Sequence, residues 1–174
     1  MKVQELMTRD VATCTAADNL SAPARSMWER DCGVVPVIDE DRRVVAVVTD
    51  RDIAMAAYTQ SRPLHEIPVS TAMSKALYVC RGEDSLETAQ GIMRREQLRR
   101  LPVVDTARRL VGILTLNDLA CHAAHEQGST RRDLAVSQVG TTLGRLCEHR
   151  DHANEDIVLR PQRQGALERV SAPA

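Results

Sequence analysis

The segment VVPVIDEDRRVVAVVTDRD at residues 34–52 occurs again, in altered form, as RLPVVDTARRLVGILTLND at residues 100–118. The two segments start 66 positions apart, and the match extends without gaps from residues 7–54 onto residues 73–120. Fourteen of these 48 paired positions are identical. Such a repeat constrains the architecture before any other feature does. Two copies are too few for a solenoid, so we predict a pseudo-two-fold pair with two related clefts where the copies meet.

Each copy has the hydrophobic pattern of a β-α-β-β-α unit. A short strand opens the copy, and a helix follows that begins at an N-cap, Asn19 or Ser85. Two Val- and Leu-rich runs on either side of a polar turn then predict a hairpin. A closing helix begins at residues 49–52 and 115–118. The opening strands are predicted at residues 11–13 and 77–80.

The predicted fold is therefore α/β (α+β), with two such repeats packed about a pseudo-two-fold axis, a C-terminal helix and a tail. The repeats occupy residues 1–62 and 63–126, and the helix and polar tail occupy residues 127–174. The helix is predicted from apolar residues at helical spacing, Val136, Val139, Leu143 and Leu146. From about residue 150 the tail is polar, which indicates a mobile segment or one docked on a partner or dimer mate.

The composition excludes several function classes. A net charge of −1 provides no basic field for nucleic acid or anionic membrane, and 2% aromatics are too few for base-stacking platforms. The chain has no apolar run near the length of a membrane span, and its first residues lack a signal-peptide core. The five cysteines form no CxxC motif, and Cys14 and Cys80 occupy equivalent apolar positions. We expect a cytoplasmic protein with reduced, buried thiols.

Catalytic and metal-binding motifs are absent from the sequence. There is no P-loop, nucleophile elbow or HExxH pattern, so we predict that the protein is not an enzyme. Cysteines and histidines cluster twice, but their spacing fits no established zinc motif, and we predict no metal site. The clusters are Cys121, His122 and His125, and Cys147, His149 and His152.

The duplicated motifs together resemble a tandem CBS-domain pair, the Bateman module, over residues 1 to about 124. The first copy contains VQELMT at residues 3–8, VVPVID at 34–39 and VVTDRD at 47–52. The second contains TAMS at residues 71–74, RLPVVD at 100–105 and ILTLND at 113–118. Each motif is weak alone, whereas two copies in the same order and spacing make a strong resemblance. With no room for an attached enzyme or channel, the chain resembles a free-standing CBS-domain protein.

The resemblance implies a regulatory module that binds adenosine-containing ligands in clefts between its repeats. The implied ligand is AMP, ADP or ATP, and less often S-adenosylmethionine or NAD; no other cofactor is required. The implied assembly is a homodimer that shifts its arrangement on binding and is read by an unknown regulated protein. Two other interpretations stay open: a protein-interaction module with degenerate, empty clefts, and a nucleic-acid-associated regulator, against which the charge counts.

In this family each cleft joins the T-x-x-D motif of one copy to the opening segment of the other. Asp52 and Asp118 would accept the ribose hydroxyls, while Thr49, Thr115 and free helix amides would donate to phosphate. The same residues are also what simple helix capping requires, and the two roles can coexist. The first cleft would contain Thr8, Arg9, Asp10, Val11, Arg99, Arg100, Thr115 and Asp118. The second would contain Gly33, Val34, Thr49, Arg51, Asp52, Ser74, Lys75, Ala76 and Leu77.

The two clefts differ in charge. Arg99 and Arg100 stand in one copy where Gly33 and Val34 stand in the other. Arginine forks bind phosphate well, so we predict that the first cleft prefers more highly phosphorylated ligands. The alternative is that both arginines are solvated at the start of a strand.

Overall fold

The computed structural model describes residues 1–125 and 136–148, and it contains the predicted mixture of helices and two small sheets. Repeat 1 consists of α1 (Ser21–Glu29), β1 (Val34–Ile38), β2 (Val44–Thr49) and α2 (Asp50–Gln60). Repeat 2 and the C-terminal helix follow as β3 (Cys80–Arg81), α3 (Leu86–Glu96), β4 (Arg100–Val104), β5 (Leu110–Thr115), α4 (Leu116–His125) and α5 (Val136–Cys147).

The two hairpins confirm the repeat residue by residue. β1 pairs antiparallel with β2, and β4 with β5, and each pairing shifts register at the same point, after Val37 or Val103. The turns also match, because Arg42 and Arg108 both adopt a left-handed conformation, with φ of 63° and 65°. The hairpins meet at Arg43 and Arg109, which form an antiparallel bridge between the repeats.

The opening strands are shorter than predicted. In repeat 1 the strand at residues 11–13 is absent, and only Cys14 bridges β1, at Val37. In repeat 2 the strand is limited to Cys80–Arg81. Both pairings end at a side-chain turn, because Asp18 accepts the Thr15 amide at 2.7 Å and Asp84 accepts the Arg81 amide at 2.7 Å.

The predicted helix starts hold with one small shift. Ser85 is the N-cap of α3, and its hydroxyl accepts the Thr88 amide at 3.0 Å. Asn19 accepts the Ser21 amide at 3.1 Å, so it satisfies a first-turn donor, although α1 begins only at Ser21. Helix ends fray and their assigned first residue varies by one or two positions, and this difference is of that size.

The two hydrophobic cores exchange their opening segments. Val3 and Met7 are buried in the core of repeat 2, whereas Ile67 and Val69 are buried in the core of repeat 1. The predicted division at residues 62 and 63 follows the sequence repeat, but each core is completed by the segment that precedes the other copy. The two repeats are therefore interlocked by packing as well as by the chain connection.

Helix α5 confirms the predicted C-terminal helix, but not the whole of its predicted apolar face. It packs on α3 and α4 of repeat 2. Val139, Thr142 and Leu146 are its buried residues, whereas Val136 and Leu143 are exposed. A hydrophobic period alone cannot tell which apolar residues face the core. The tail beyond residue 148, with His149 and His152, lies outside the described residues.

Candidate functional site

The two Thr–Asp motifs form nearly identical caps at the starts of α2 and α4. The Thr49 hydroxyl donates to Asp52 Oδ2 at 2.7 Å and accepts the Asp52 amide at 3.2 Å. The Thr115 hydroxyl makes the same two bonds with Asp118, at 2.7 and 3.2 Å. Each carboxylate also accepts its threonine's own amide, at 2.9 and 2.8 Å. Capping is therefore an actual role of both motifs.

The caps leave half of each carboxylate available. All bonds from the threonines converge on Oδ2, and among the described residues no hydrogen bond ends on Oδ1 of Asp52 or Asp118. Both aspartates are half-buried, so their orientation is fixed while one oxygen can still accept. A fixed carboxylate with one unused oxygen is suited to binding a hydroxyl, and the cap supplies that fixation.

The structure brings each opening segment to the opposite repeat, as the resemblance implied. The Thr8 amide donates to the Ile113 carbonyl at 2.9 Å, and the Ile113 amide donates back at 2.8 Å. In the other copy the Ser74 amide donates to the Val47 carbonyl at 2.8 Å, and the Ser74 hydroxyl accepts the Val47 amide at 3.1 Å. Thr8 and Ser74 thus lie beside the strands that end at Thr115 and Thr49.

The residues that follow Thr8 and Ser74 vary in their contacts. Arg9 donates to the Gln4 carbonyl at 3.0 Å, and Asp10 forms a salt bridge with Arg30 at 3.1 Å. These bonds direct Arg9 toward its own segment and Asp10 toward the residue that follows α1. Val11 and Leu77 are half-buried, while Lys75 and Ala76 are exposed.

Arg100 extends from repeat 2 toward repeat 1. Its backbone pairs with Thr115, but its Nη2 would lie 2.9 Å from a Cβ built on Gly33. Asp50 Oδ2 would lie 3.0 Å from the same Cβ. The guanidinium therefore lies beside Gly33 and Asp50, two residues of the other copy. The space that it occupies is open because Gly33 has no side chain. Arg99 is exposed, and Val34 is buried in β1.

The first-turn amides distinguish the two sites. In α2 the Asp50 amide donates to the Gly33 carbonyl at 3.4 Å, and Asp50 Oδ1 accepts the Arg51 amide at 2.7 Å. In α4 the Leu116 amide donates to the Arg99 carbonyl at 2.8 Å. Leu116 replaces Asp50, so within the described chain no side chain accepts the amide of Asn117. The expectation of free amides thus holds only for α4.

Asp50 is a residue of the candidate site that the sequence prediction did not include. It occupies the Arg51 amide and brings a negative charge to the start of α2, where an anion would otherwise be favoured. The signal was present in the contrast between TDRD at residues 49–52 and TLND at residues 115–118. The prediction used the Thr and Asp that both copies share, whereas Asp50 differs between the copies.

The paired cysteines belong to the cores and not to the sites. Cys14 and Cys80 are buried at equivalent positions, as predicted. Burial raises the pKa of the Cys14 thiol to about 11 and that of Cys80 to about 12, and the nearby Asp18 and Asp84 add to these shifts. Both thiols are therefore protonated and unreactive near neutral pH. All five cysteines are free.

Metal-binding groups do not gather in the part of the chain that the structure describes. Over residues 1–125 and 136–148 no three His, Cys, Asp or Glu side chains lie close enough to hold one ion. No described helix is long and apolar enough to cross a bilayer.

Comparison with known proteins identifies the family. The family model described as "CBS domain" matches residues 3–58 and 68–124. The CBS domain-containing protein YhcV of Bacillus subtilis is 38% identical over 118 residues, which cover 68% of this chain and 82% of YhcV. The uncharacterized protein YlbB of the same organism is 33% identical over 139 residues, which cover 79% of this chain and 90% of YlbB.

A solved structure gives the same result for the fold. The structure of CBSX2 in complex with AMP has a TM-score of 0.62 and 26% identity, and the match covers 71% of this chain and 96% of CBSX2. The exchanged opening segments, the matched hairpins and the two family matches agree. The chain is therefore a member of the CBS-domain family and carries two CBS domains in tandem.

Proposed function

We propose that this CBS-domain pair is a regulatory module, without catalytic activity, that binds an adenosine-containing ligand between its repeats. The observation that supports this most directly is the pair of capped aspartates. Each is fixed through Oδ2 and keeps Oδ1 for a further donor, beside a strand that the opposite opening segment borders. The relative CBSX2 was solved with AMP, which supports the same ligand class.

The proposed ligand contacts use both parts of the site. Asp118 accepts the ribose hydroxyls through its unused oxygen, and the open Asn117 amide donates to the phosphate. The hydroxyl hydrogens of Thr49 and Thr115 are already donated to Asp52 and Asp118, so the threonines fix the aspartates and do not donate to phosphate as the sequence led us to expect. The half-buried aliphatic side chains of Val11 and Leu77 hold the adenine ring in the first and second cleft. AMP, ADP or ATP fits this arrangement, and S-adenosylmethionine or NAD shares the adenosine part.

The two clefts have unequal affinities in this proposal. The Thr115 cleft has an open amide, whereas the Thr49 cleft has the Asp50 carboxylate at its helix start. Arg100 lies beside Asp50 and Gly33, so its charge offsets that carboxylate and also serves the second cleft. Binding favours one arrangement of the repeats within a homodimer, and a regulated protein reads that arrangement. Free cysteines suit a reducing cytoplasm.

Isothermal titration with adenosine, AMP, ADP, ATP, S-adenosylmethionine and NAD tests the proposal. Asp118→Asn keeps an oxygen for the cap but removes the second carboxylate oxygen, and Asp52→Asn is the matched control in the other cleft. Asp118→Asn should weaken the tightest ligand by about 1.5–3 kcal/mol, roughly 10- to 150-fold, the value of a hydrogen bond to a charged group. Unfolding curves should stay close to wild type.

Two results would contradict parts of the proposal. Unchanged affinity in both aspartate variants would exclude the ribose role. If none of the six compounds binds, the clefts are empty and the module acts through protein contacts alone.

The arginines are tested by comparing ligands that differ only in phosphate. Arg99→Ala/Arg100→Ala should reduce ATP affinity more than adenosine affinity, because only ATP uses charge-assisted contacts. Arg108→Ala/Arg109→Ala removes the same charge from the exposed hairpin turn and serves as the control. Equal losses for ATP and adenosine would assign the arginines to packing, and no loss would place them in solvent.

A further inference from the structure

A polar groove lies between α3 and α5 and shares no residue with either adenosine cleft. Its volume is about 420 Å³, which is within the range of about 300–1,000 Å³ that small-molecule sites occupy. We call it the α3–α5 groove. A lining without apolar side chains favours a hydrophilic ligand over an aromatic one. Six polar residues form this lining: Glu87, Gln90, Arg94, Gln138, Thr141 and Arg145.

The two helices contribute matched rows of side chains to the groove. Each row has the spacing i, i+3, i+7, which places its three members on one helix face. The helices run in the same direction, because Gln90 contacts Thr142, whereas Gln97, further along α3, donates to the Arg145 carbonyl at 3.3 Å. The two arginines therefore share one end of the groove, and the Glu87 carboxylate lies at the other end.

Gln90 forms the floor of the groove and has a donor to spare. Its side chain is only 2% exposed, and its Oε1 accepts from the Thr142 hydroxyl at 3.0 Å. Over residues 1–125 and 136–148 no acceptor is bonded to its Nε2. Since buried polar groups are normally hydrogen-bonded, an amide that lines a cavity with an unused donor points to a ligand oxygen.

The cationic end of the groove is incompletely neutralised. Arg94 is half-buried, and its Nη1 donates to the neutral Thr142 hydroxyl at 3.2 Å. Within the described chain no carboxylate forms a salt bridge with Arg94. Arg145 pairs with Glu148 at 2.9 Å, but both side chains are exposed, and exposed pairs contribute little. An entering anion can therefore bind Arg94 and exchange with Glu148 at Arg145.

Repeat 1 has no equivalent of this groove. Ser21, Ala24 and Trp28 stand at the positions of the three α3 residues. The polar set thus occurs in the copy that α5 covers. Packing alone does not require it, because an apolar residue in place of Gln90 would contact α5 without the cost of burying an amide. The polar lining is therefore better explained by a bound molecule than by the helix contact.

We propose that the α3–α5 groove binds a small hydroxylated anion of the sugar phosphate or sugar acid class. Arg94 and Arg145 hold the phosphate or carboxylate, Gln90 donates to a hydroxyl oxygen, and Glu87 accepts from a hydroxyl. The ligand contacts both helices, so it holds α5 on repeat 2. This second ligand is distinct from the adenosine ligand, and its binding does not depend on the proposed function.

Isothermal titration of the full chain with glucose 6-phosphate, gluconate and glucose tests the site. At least one of the two anions should bind, and glucose should bind at least about tenfold more weakly, because it lacks the charged group that the arginines hold. Hydrogen exchange should slow in α3 and α5 when the anion is bound, and stay unchanged in α1 and α2.

Three charge variants locate the anionic group. Arg94→Met keeps the aliphatic stem and should weaken anion binding at least about tenfold. Arg95→Met is the matched control, because Arg95 is the next residue of α3, its side chain is 68% exposed and it lies outside the groove. It should bind as wild type. Glu148→Gln should strengthen binding about twofold to threefold, because it releases Arg145 for the ligand.

Several results would overturn the proposal. If neither anion binds, the groove is only a packing contact. Equal losses in Arg94→Met and Arg95→Met, glucose that binds as tightly as the anions, or weaker binding in Glu148→Gln would remove the arginines from the site. Displacement of glucose 6-phosphate by saturating AMP would place it in an adenosine cleft. Arg94→Met should titrate with AMP as wild type, so a failure of this site and a failure of adenosine binding are distinguishable.

Discussion

The two repeats agree at their Thr–Asp caps and disagree at their helical faces. The Thr–Asp caps match to within 0.1 Å in every bond, and the hairpin turns match in backbone angle. On the helices, by contrast, Trp28 faces solvent while Arg94 contacts α5. The shared positions are those that a backbone conformation or a cap requires. The positions that differ are therefore the better guide to what each copy does separately.

The cleft itself contains one informative difference. Asp50 closes the first turn of α2, and Leu116 leaves the first turn of α4 open. Both helices keep their Thr–Asp cap, and this single replacement leaves one more first-turn amide of α4 able to donate to an anion. Duplication provides the scaffold twice, and small replacements make the two sites unequal.

The first prediction has the largest expected effect and tests whether α5 stabilises the core of repeat 2. Ile53 and Leu119 occupy equivalent positions on α2 and α4, but only Leu119 shares a core with Val139 of α5. Leu119→Ala should reduce the free energy of unfolding by about 3–5 kcal/mol, and Ile53→Ala by about 2–4 kcal/mol, as expected for large-to-small changes in a core. Urea unfolding of both variants measures the difference.

The order of the two losses decides whether α5 is part of the folded core. If Ile53→Ala is the more damaging change, the cover that α5 provides over repeat 2 contributes little to stability. Coincident fluorescence and circular dichroism transitions are needed first, because the comparison assumes two-state unfolding.

Most of the fold was predictable from the sequence because the repeat and the hairpins are local patterns. Val34–Ile38 and Val44–Thr49 form strands because β-branched residues flank a turn whose Asp39 binds the Arg43 amide. The core to which the opening segment belongs was not predictable from periodicity. Val3 and Met7 are apolar and would suit the core of either repeat. Only the packed structure shows that they belong to the core of repeat 2.

The candidate site was predictable in its shared residues and less so in its neighbours. Thr49, Asp52, Thr115 and Asp118 were found because they recur at the same spacing. The side chain of Arg100 was assigned to the first cleft, and its position beside Gly33 depends on a contact between repeats. A long side chain can reach either of two clefts, and sequence spacing contains no information on that choice.

The second prediction tests the exchange of opening segments. Val3→Ala should destabilise by about 2 kcal/mol, because it removes two buried methyl groups. The increase in hydrogen exchange should appear in β4 and β5, although Val3 is far from them in sequence. Val69→Ala is the counterpart and should affect β1 and β2. Faster exchange in the repeat that is nearer along the chain would contradict the interlocked packing.

The third prediction concerns the buried thiols, at which the repeats agree. Their folded pKa values of about 11 and 12 lie above the ordinary value of 9.0, so the folded state retains the protons longer. The stability that the two protonated thiols contribute is complete below pH 9 and is lost as the pH rises through 11 and 12. At pH 10 the expected loss is about 1 kcal/mol for each thiol. Cys14→Ala and Cys80→Ala should each reduce the pH dependence by a similar amount, which urea unfolding at pH 8 and pH 10 measures. A pH dependence that both variants retain would assign it to other groups.

The fourth prediction has the smallest expected effect and compares the caps of α2 and α4. Thr49→Val and Thr115→Val each remove a hydroxyl that accepts an aspartate amide, and each should cost about 1 kcal/mol. The loss should be a few tenths of a kcal/mol greater for Thr115→Val. The Asn117 amide is already open, and the variant also leaves the Asp118 amide without its acceptor. In α2 the Asp50 carboxylate continues to hold the Arg51 amide. Urea unfolding with and without AMP measures both values. Saturating AMP should narrow the difference, since its phosphate accepts from the open amides of α4. An equal cost in both repeats, unchanged by AMP, would show that Asp50 does not distinguish the two sites.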